Sequence, residues 1–428
     1  MKKITFLFLL FAFQFLHGQN FVVIDSLLSR LKKSSDTTKI NIFNQLAYEY
    51  RNSQITKTDS FASLAIELAT KENYYKGLGY AYIHKGFAEK MIGDYPRSIQ
   101  TFRLALTNFV RCNFKPGYSA VYNNIAGVYY LQSNYVKAQF YYFESLNISE
   151  ELNDEIGIAK TYNNIGAVYM EQKQLDKAIQ YFQKANSILE RLDPNQAADC
   201  LNNIGTVYQY KKDTVQAIEN YRKSMEINKK IGDKKDVSSI LNNIGFMYAE
   251  GGNYKLALDH YYESLQIDES LGDVHGMSSC YGNITNCYIK LNMLFAANKY
   301  ANKMLQIAKK YSIINDISDS YKYLNMIEEA NGNYKEALVY HKLYKAYNDS
   351  VFNDENKNAQ SQLEGLYVKE KSEKEKLILT KDEEIKKIKS KEREKEFSQY
   401  ILLIGFVLFL FILIIYIAFF LVRRNRYS

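Results

Sequence analysis

The chain contains no tryptophan, three prolines, four cysteines and five histidines in 428 residues. Proline normally makes up ~5% of a protein, so this scarcity excludes proline-rich stalks, disordered linkers and loop-rich folds. His84, His260, His275 and His341 are scattered, and none pairs with another at the spacing of a helical metal site. Neither a glycine-rich phosphate loop nor a Gly-x-Ser-x-Gly elbow occurs. No catalytic activity, metal or cofactor is expected. The net charge of +8 is also less than it looks. Lys2, Lys3, Arg423, Arg424 and Arg426 sit at the two ends, and the stretch 369–396 mixes both signs. The body of the chain is close to neutral, so nucleic acid is not an expected partner.

What is abundant is apolar and aromatic. Hydrophobic residues make up 47%, with 38 tyrosines and 24 phenylalanines. That composition excludes a disordered chain and fits a long, packed, mostly helical one. The ends read as targeting segments. Met1, Lys2 and Lys3 precede an apolar run from Ile4 to Leu16 and then His17 and Gly18. This is the pattern of a secretory signal peptide over 1–18, too short to span a bilayer. From Phe397 to Val422 there is no charged residue. The transmembrane helix is expected over 400–422; Ile401 to Val422 alone would be ~33 Å long, matching the hydrocarbon core. The arginines of the tail 423–428 then face the cytoplasm by the positive-inside rule. The expected location is the bacterial cytoplasmic membrane, single-pass, with residues 20–399 outside.

Between the ends lies a repeat. Residues 122–129 read YNNIAGVY, 162–169 YNNIGAVY, 201–208 LNNIGTVY and 241–248 LNNIGFMY. Weaker copies begin at Phe43, Tyr82, Tyr281 and Tyr321, so the start recurs every 39 or 40 residues. A fixed period of this size signals stacked supersecondary units. Tyr122, Ile125, Ala126 and Tyr129 fall on one helical face. A turn follows, as in Gly93-Asp94 and Gly252-Asn253. A second helix carries Ala138, Ala178, Ala217, Ala257, Ala297 and Ala337, then aromatics four residues on at Tyr142, Phe182, Tyr221 and Tyr261. Gly166, Gly205 and Gly245 allow the two helices to approach closely.

The order aromatic, glycine, tyrosine, alanine, aromatic over about 43–350 resembles the tetratricopeptide repeat (TPR) family. The resemblance implies an all-α, right-handed α-solenoid of about eight TPR helix pairs over 43–354. The repeat exceeds the family's usual 34 residues, so the second helix is expected to be the longer one, as in long-repeat relatives such as kinesin light chains. Residues 20–42 supply a lead-in, with a capping helix over Phe21–Lys33 that places Ile24, Leu27, Leu28 and Leu31 on one face. Residues 355–399 read as a charged helix, either solvated and single or a parallel coiled coil that would make a homodimer. Cys112, Cys200, Cys280 and Cys287 are expected to be unpaired, small core residues; Cys280 and Cys287 lie ~10.5 Å apart along one helix, beyond disulfide reach.

The sharpest candidate site is a ladder of asparagines. Asn124, Asn164, Asn203, Asn243 and Asn283 hold one position in five successive units, and Asn123, Asn163, Asn202 and Asn242 precede four of them. Asparagine is a mediocre helix former, so its recurrence within helices has a cause. An amide offers donor and acceptor together and could hold the backbone of an extended peptide. It could equally bond neighbouring helices to each other. In similar repeats the Asn before the Ile-Gly pair holds bound peptides, so the resemblance implies that role here. One turn on, Tyr130, Met170, Gln209, Ala249 and Ile289 vary and would set selectivity for a partly apolar ligand.

The layout as a whole resembles the sensor half of bacterial TPR-containing membrane histidine kinases and helix-turn-helix regulators, without the output domain. The expected function is a membrane-anchored sensor or adaptor in signal transduction, binding a peptide or protein partner outside the cytoplasm. The alternatives are a static envelope scaffold and a truncated remnant of such a kinase or regulator.

Overall fold

The computed structural model describes residues 20–349, except Lys33 and Asn52. The signal peptide, the charged helix of 355–399, the span of 400–422 and the tail therefore lie outside the described residues. Among the described residues there are seventeen helices and no strand. None of these helices is long and apolar enough to cross a membrane.

Helix α1 (Asn20–Leu31) is followed by eight helix pairs. The first four are α2 (Asp36–Tyr50) with α3 (Ile55–Lys71), α4 (Tyr75–Met91) with α5 (Tyr95–Arg111), α6 (Lys115–Leu131) with α7 (Tyr135–Glu151), and α8 (Glu155–Glu171) with α9 (Leu175–Leu192). The next three are α10 (Pro194–Tyr210) with α11 (Thr214–Ile231), α12 (Lys234–Glu250) with α13 (Tyr254–Leu271), and α14 (Val274–Lys290) with α15 (Leu294–Tyr311). The eighth joins α16 (Ile314–Ala330) to α17, helical over 334–349. Each helix packs on the next in the chain, and first helices also touch the first helices of neighbouring units. That is the contact pattern of a solenoid. The capping helix is where the amphipathic pattern puts it: Ile24 and Leu27 of α1 are buried against Ile42, Leu46 and Tyr50 of α2.

The second helix is the longer one in five of the first seven pairs, but by only one or two residues. Helix α8 has 17 residues and its partner α9 has 18; α6 and α7 have 17 each. The extra length is shared because matched helices bury matched faces along their whole length. The turns are tight and alike. Gly93, Gly252 and Gly332 take positive φ within units, as Gly232 and Gly272 do between them. The Asp or Asn that follows caps the next helix: Asp94 accepts from the Arg97 amide, Asp233 from Asp236 and Asn253 from Leu256. Elsewhere Ser133, Lys173, Lys212 and Asn292 hold the same left-handed geometry without glycine.

The core forms layers within and between units. The alanines at 138, 178, 217, 257 and 297 are wholly buried, with Phe182, Tyr221 and Tyr261 beside them. The glycines make room for those rings rather than for the alanines. A methyl group added at Gly205 would stand 2.7 Å from the Tyr221 ring, and one at Gly166 would stand 2.8 Å from Phe182. Tyrosine has a second use that the repeat alone does not reveal. Tyr141 stacks on Tyr129, Tyr181 on Tyr169 and Tyr300 on Tyr288, with centroids 5.3–5.8 Å apart. His260 replaces tyrosine in the sixth unit and stacks on Tyr248 at 5.4 Å. Three cysteines are buried and unpaired as expected, but Cys112 is exposed. It lies just past the end of α5, at the C-cap of that helix.

Candidate functional site on the inner face

The asparagines lie on the inner row formed by the first helices. The side-chain amide Nδ2 of Asn164 donates to Oδ1 of Asn123 at 3.1 Å, and that of Asn203 to Asn163 at 3.1 Å. Asn243 donates likewise to Asn202 at 3.3 Å, and Asn283 to Asn242 at 2.9 Å. Each rung joins the leading Asn of one unit to the trailing Asn of the next. Asn123 and Asn242 also donate onward, to Thr161 Oγ1 and Ser279 Oγ. The ladder therefore laces units 3 to 7 together.

Where a rung is missing, the sequence says why. Unit 2 has Ile83 in the leading position, so Asn124 donates to the Ala120 carbonyl of its own helix instead, at 2.8 Å. Unit 2 also has His84 in the trailing position. The leading Asn44 of unit 1 donates to the Gly77 carbonyl at 2.9 Å, and its Oδ1 is buried without a partner. Burial, then the nearby Arg51 charge, lower the His84 imidazole from 6.5 to about 4. At the far end Gly282 and Tyr323 occupy the paired positions and the ladder stops.

The rungs do not use up the amides. Each trailing Asn has a second N–H and an Oδ1, and no protein bond to either is found among the described residues. Asn123, Asn124, Asn163 and Asn164 line a cavity of about 840 Å³. The other five, Asn202, Asn203, Asn242, Asn243 and Asn283, continue along the row beyond it. The cavity is of the size that holds a small ligand or a stretch of peptide. Units 1 and 5 both reach it: Tyr48 and Arg51 come from the end of α2 and its turn, Gln196 and Asp199 from α10.

The charged groups of this wall were not legible as a motif. Ala120, Lys160 and Asp199 each stand four residues before a ladder asparagine and so share its helical face. That spacing is the signal that could have found them. Arg51 lies 3.9 Å above the Tyr48 ring and donates to its hydroxyl at 3.2 Å. No ion pair of Arg51, Lys160 or Asp199 occurs among the described residues. Asp199 is open to the cavity but backed by protein. That partial burial, then repulsion from Asp236, Asp233 and Asp193, raises its carboxyl to about 6. Asp154, also in the wall, is engaged in capping its own helix at the Gly157 amide.

The positions expected to set selectivity lie elsewhere. Gln209 accepts from the Tyr221 hydroxyl at 2.9 Å, Tyr130 packs edge-on to Tyr135, and Met170, Ala249 and Ile289 pack against core clusters. They fill the space between paired helices, and none lines the cavity. Among the described residues, no group of three or more His, Cys, Asp or Glu side chains could hold a metal ion.

A sequence model described as tetratricopeptide repeat matches residues 157–230 and 236–310. No curated protein matches the chain. Among solved structures, aspartyl phosphate phosphatase F from Bacillus subtilis is similar over 78% of this chain and 84% of its own, at 15% identity and a TM-score of 0.52. A signal transduction ATPase with numerous domains from Pyrococcus horikoshii, which has a tetratricopeptide repeat sensor, is similar over 76% of this chain and 55% of its own, at 15% identity and a TM-score of 0.52. At such identities the likeness is one of fold.

Proposed function

Since this chain is a tetratricopeptide repeat protein, we propose that it binds a peptide, or an extended segment of a protein partner, along the inner face of its solenoid. The observation that supports this reading is the cavity whose wall carries Asn123, Asn124, Asn163 and Asn164. Partly buried amides that keep free hydrogen-bonding groups suit a ligand with a repeating backbone donor and acceptor. The protein acts by binding rather than by catalysis. The segments at 1–18 and 400–422 export the solenoid and anchor it, so that binding is reported across the cytoplasmic membrane to a separate partner. This is a sensor or adaptor role.

Ala120 faces the cavity and offers a direct test. Full-length protein in detergent is immobilised and presented with a random peptide library displayed on phage. Wild type should enrich peptides, and Ala120→Trp, which puts an indole into the cavity beside Asn124 and obstructs it, should not, while both melt alike. Enrichment that survives in Ala120→Trp would place peptide binding elsewhere, and no enrichment by the wild type would refute it.

A further inference from the structure

We propose that the cavity selects a peptide of mixed charge, with an acidic group seated against Arg51 and Lys160 and a basic side chain seated against Asp199. This rests on the peptide-binding reading and adds the charge and direction of the ligand.

Three observations carry it. The first is that neither cation has an ion-pair partner among the described residues. Arg51 is held by Tyr48, ring and hydroxyl together, yet no carboxylate pairs with it among the described residues. Lys160 projects from α8 into the same cavity, also without an ion-pair partner. A guanidinium pinned on an aromatic ring is arranged before any ligand arrives, which reduces the entropy lost on binding. The second is that the opposite charge lies one unit on. Asp199 stands at the position of Lys160 in the next repeat and does not bond to it. Asp233 and Asp236 on the following unit, with Asp193, add to the negative potential there. A basic group would offset the partial burial, and then the repulsion, that raise the Asp199 carboxyl. The third is that the amides of Asn124 and Asn164 lie on the same wall, where they can hold the backbone between the poles.

The geometry also sets a spacing. Adjacent first helices touch through the Asn rungs, which puts Lys160 and Asp199 roughly 10 Å apart. An extended chain covers that distance in about three residues. A preferred ligand therefore carries Glu or Asp about three residues from Lys or Arg, in one order only, because the groove has one polarity.

The test sequences the phage peptides enriched on the full-length wild-type protein, and on Lys160→Glu, Asp199→Lys and the double exchange. Both residues are exposed, so the variants should fold. Wild type should enrich acidic–basic pairs in one order. Each single exchange should weaken binding of a wild-type-selected peptide about tenfold, and the double exchange should select the reversed order. Enrichment of peptides with no charge preference would overturn this inference and leave peptide binding standing. No enrichment on any form would overturn both.

Discussion

At the residue scale, His84 is the position that departs most informatively from its repeat. Its counterparts in units 3 to 7 are asparagines. Four of those, Asn164, Asn203, Asn243 and Asn283, donate to an Asn in the preceding unit. Asn44 presents a buried acceptor at the matching place and receives nothing. His84→Asn would supply the donor and stabilise the fold by about 1 kcal/mol, the worth of one such bond; urea unfolding of the two proteins measures it. The pH dependence follows with definite sign. His84 titrates at about 4 when folded, below its ordinary 6.5, because burial and then the Arg51 charge disfavour its proton. The unfolded chain thus binds the proton first. Stability is whole above pH 6.5 and falls as pH drops towards 4. The wild type should lose more stability over that window than His84→Asn does. Equal losses would show that His84 is not the titrating group.

At the element scale, the rungs make neighbouring first helices into a coupled series. Asn163→Ala and Asn203→Ala each break the same bond. The double variant should therefore cost less than the sum of the singles, by about 0.5–1.5 kcal/mol in a double-mutant cycle. Asn124→Ala is the control, because its amide bonds only its own helix; paired with Asn163→Ala it should be additive. Much of this level could be read from the sequence. The period, the two helices per unit, the alanine and aromatic positions and the Gly-Asp turns are local signals repeated up to eight times. The partners of the amides could not be read, because both arrangements place Asn on the same face and only the distance between helices separates them. Arg51, Lys160 and Asp199 were hidden for the opposite reason. They differ from unit to unit, so the repetition that reveals the fold conceals them. Tyr130, Met170, Gln209, Ala249 and Ile289 vary too, yet they pack between helices; variation alone does not mark a groove.

At the scale of the whole molecule, the proposed topology can be checked through one thiol. Cys112 is exposed, whereas Cys200, Cys280 and Cys287 are buried. Burial pushes the thiols of Cys200 and Cys280 up to about 12 and that of Cys287 to about 11, which keeps them from reacting as thiolates. A membrane-impermeant maleimide added to intact spheroplasts should label the wild type and not Cys112→Ser. Labelling that appears only after lysis would place the solenoid in the cytoplasm. The ladder has a further bearing on what the groove can measure. Lys160 and Asp199 stand on units joined by a directional hydrogen bond, whereas Arg51 stands beyond the junction of units 2 and 3, where the Asn124 amide turns back to its own helix and no Asn rung forms. Apolar packing is non-directional and tolerates small slides that a hydrogen bond does not. The gap between Arg51 and the other two charges is then the softest dimension of the cavity, and the protein would read the order of charges on a ligand more strictly than its length.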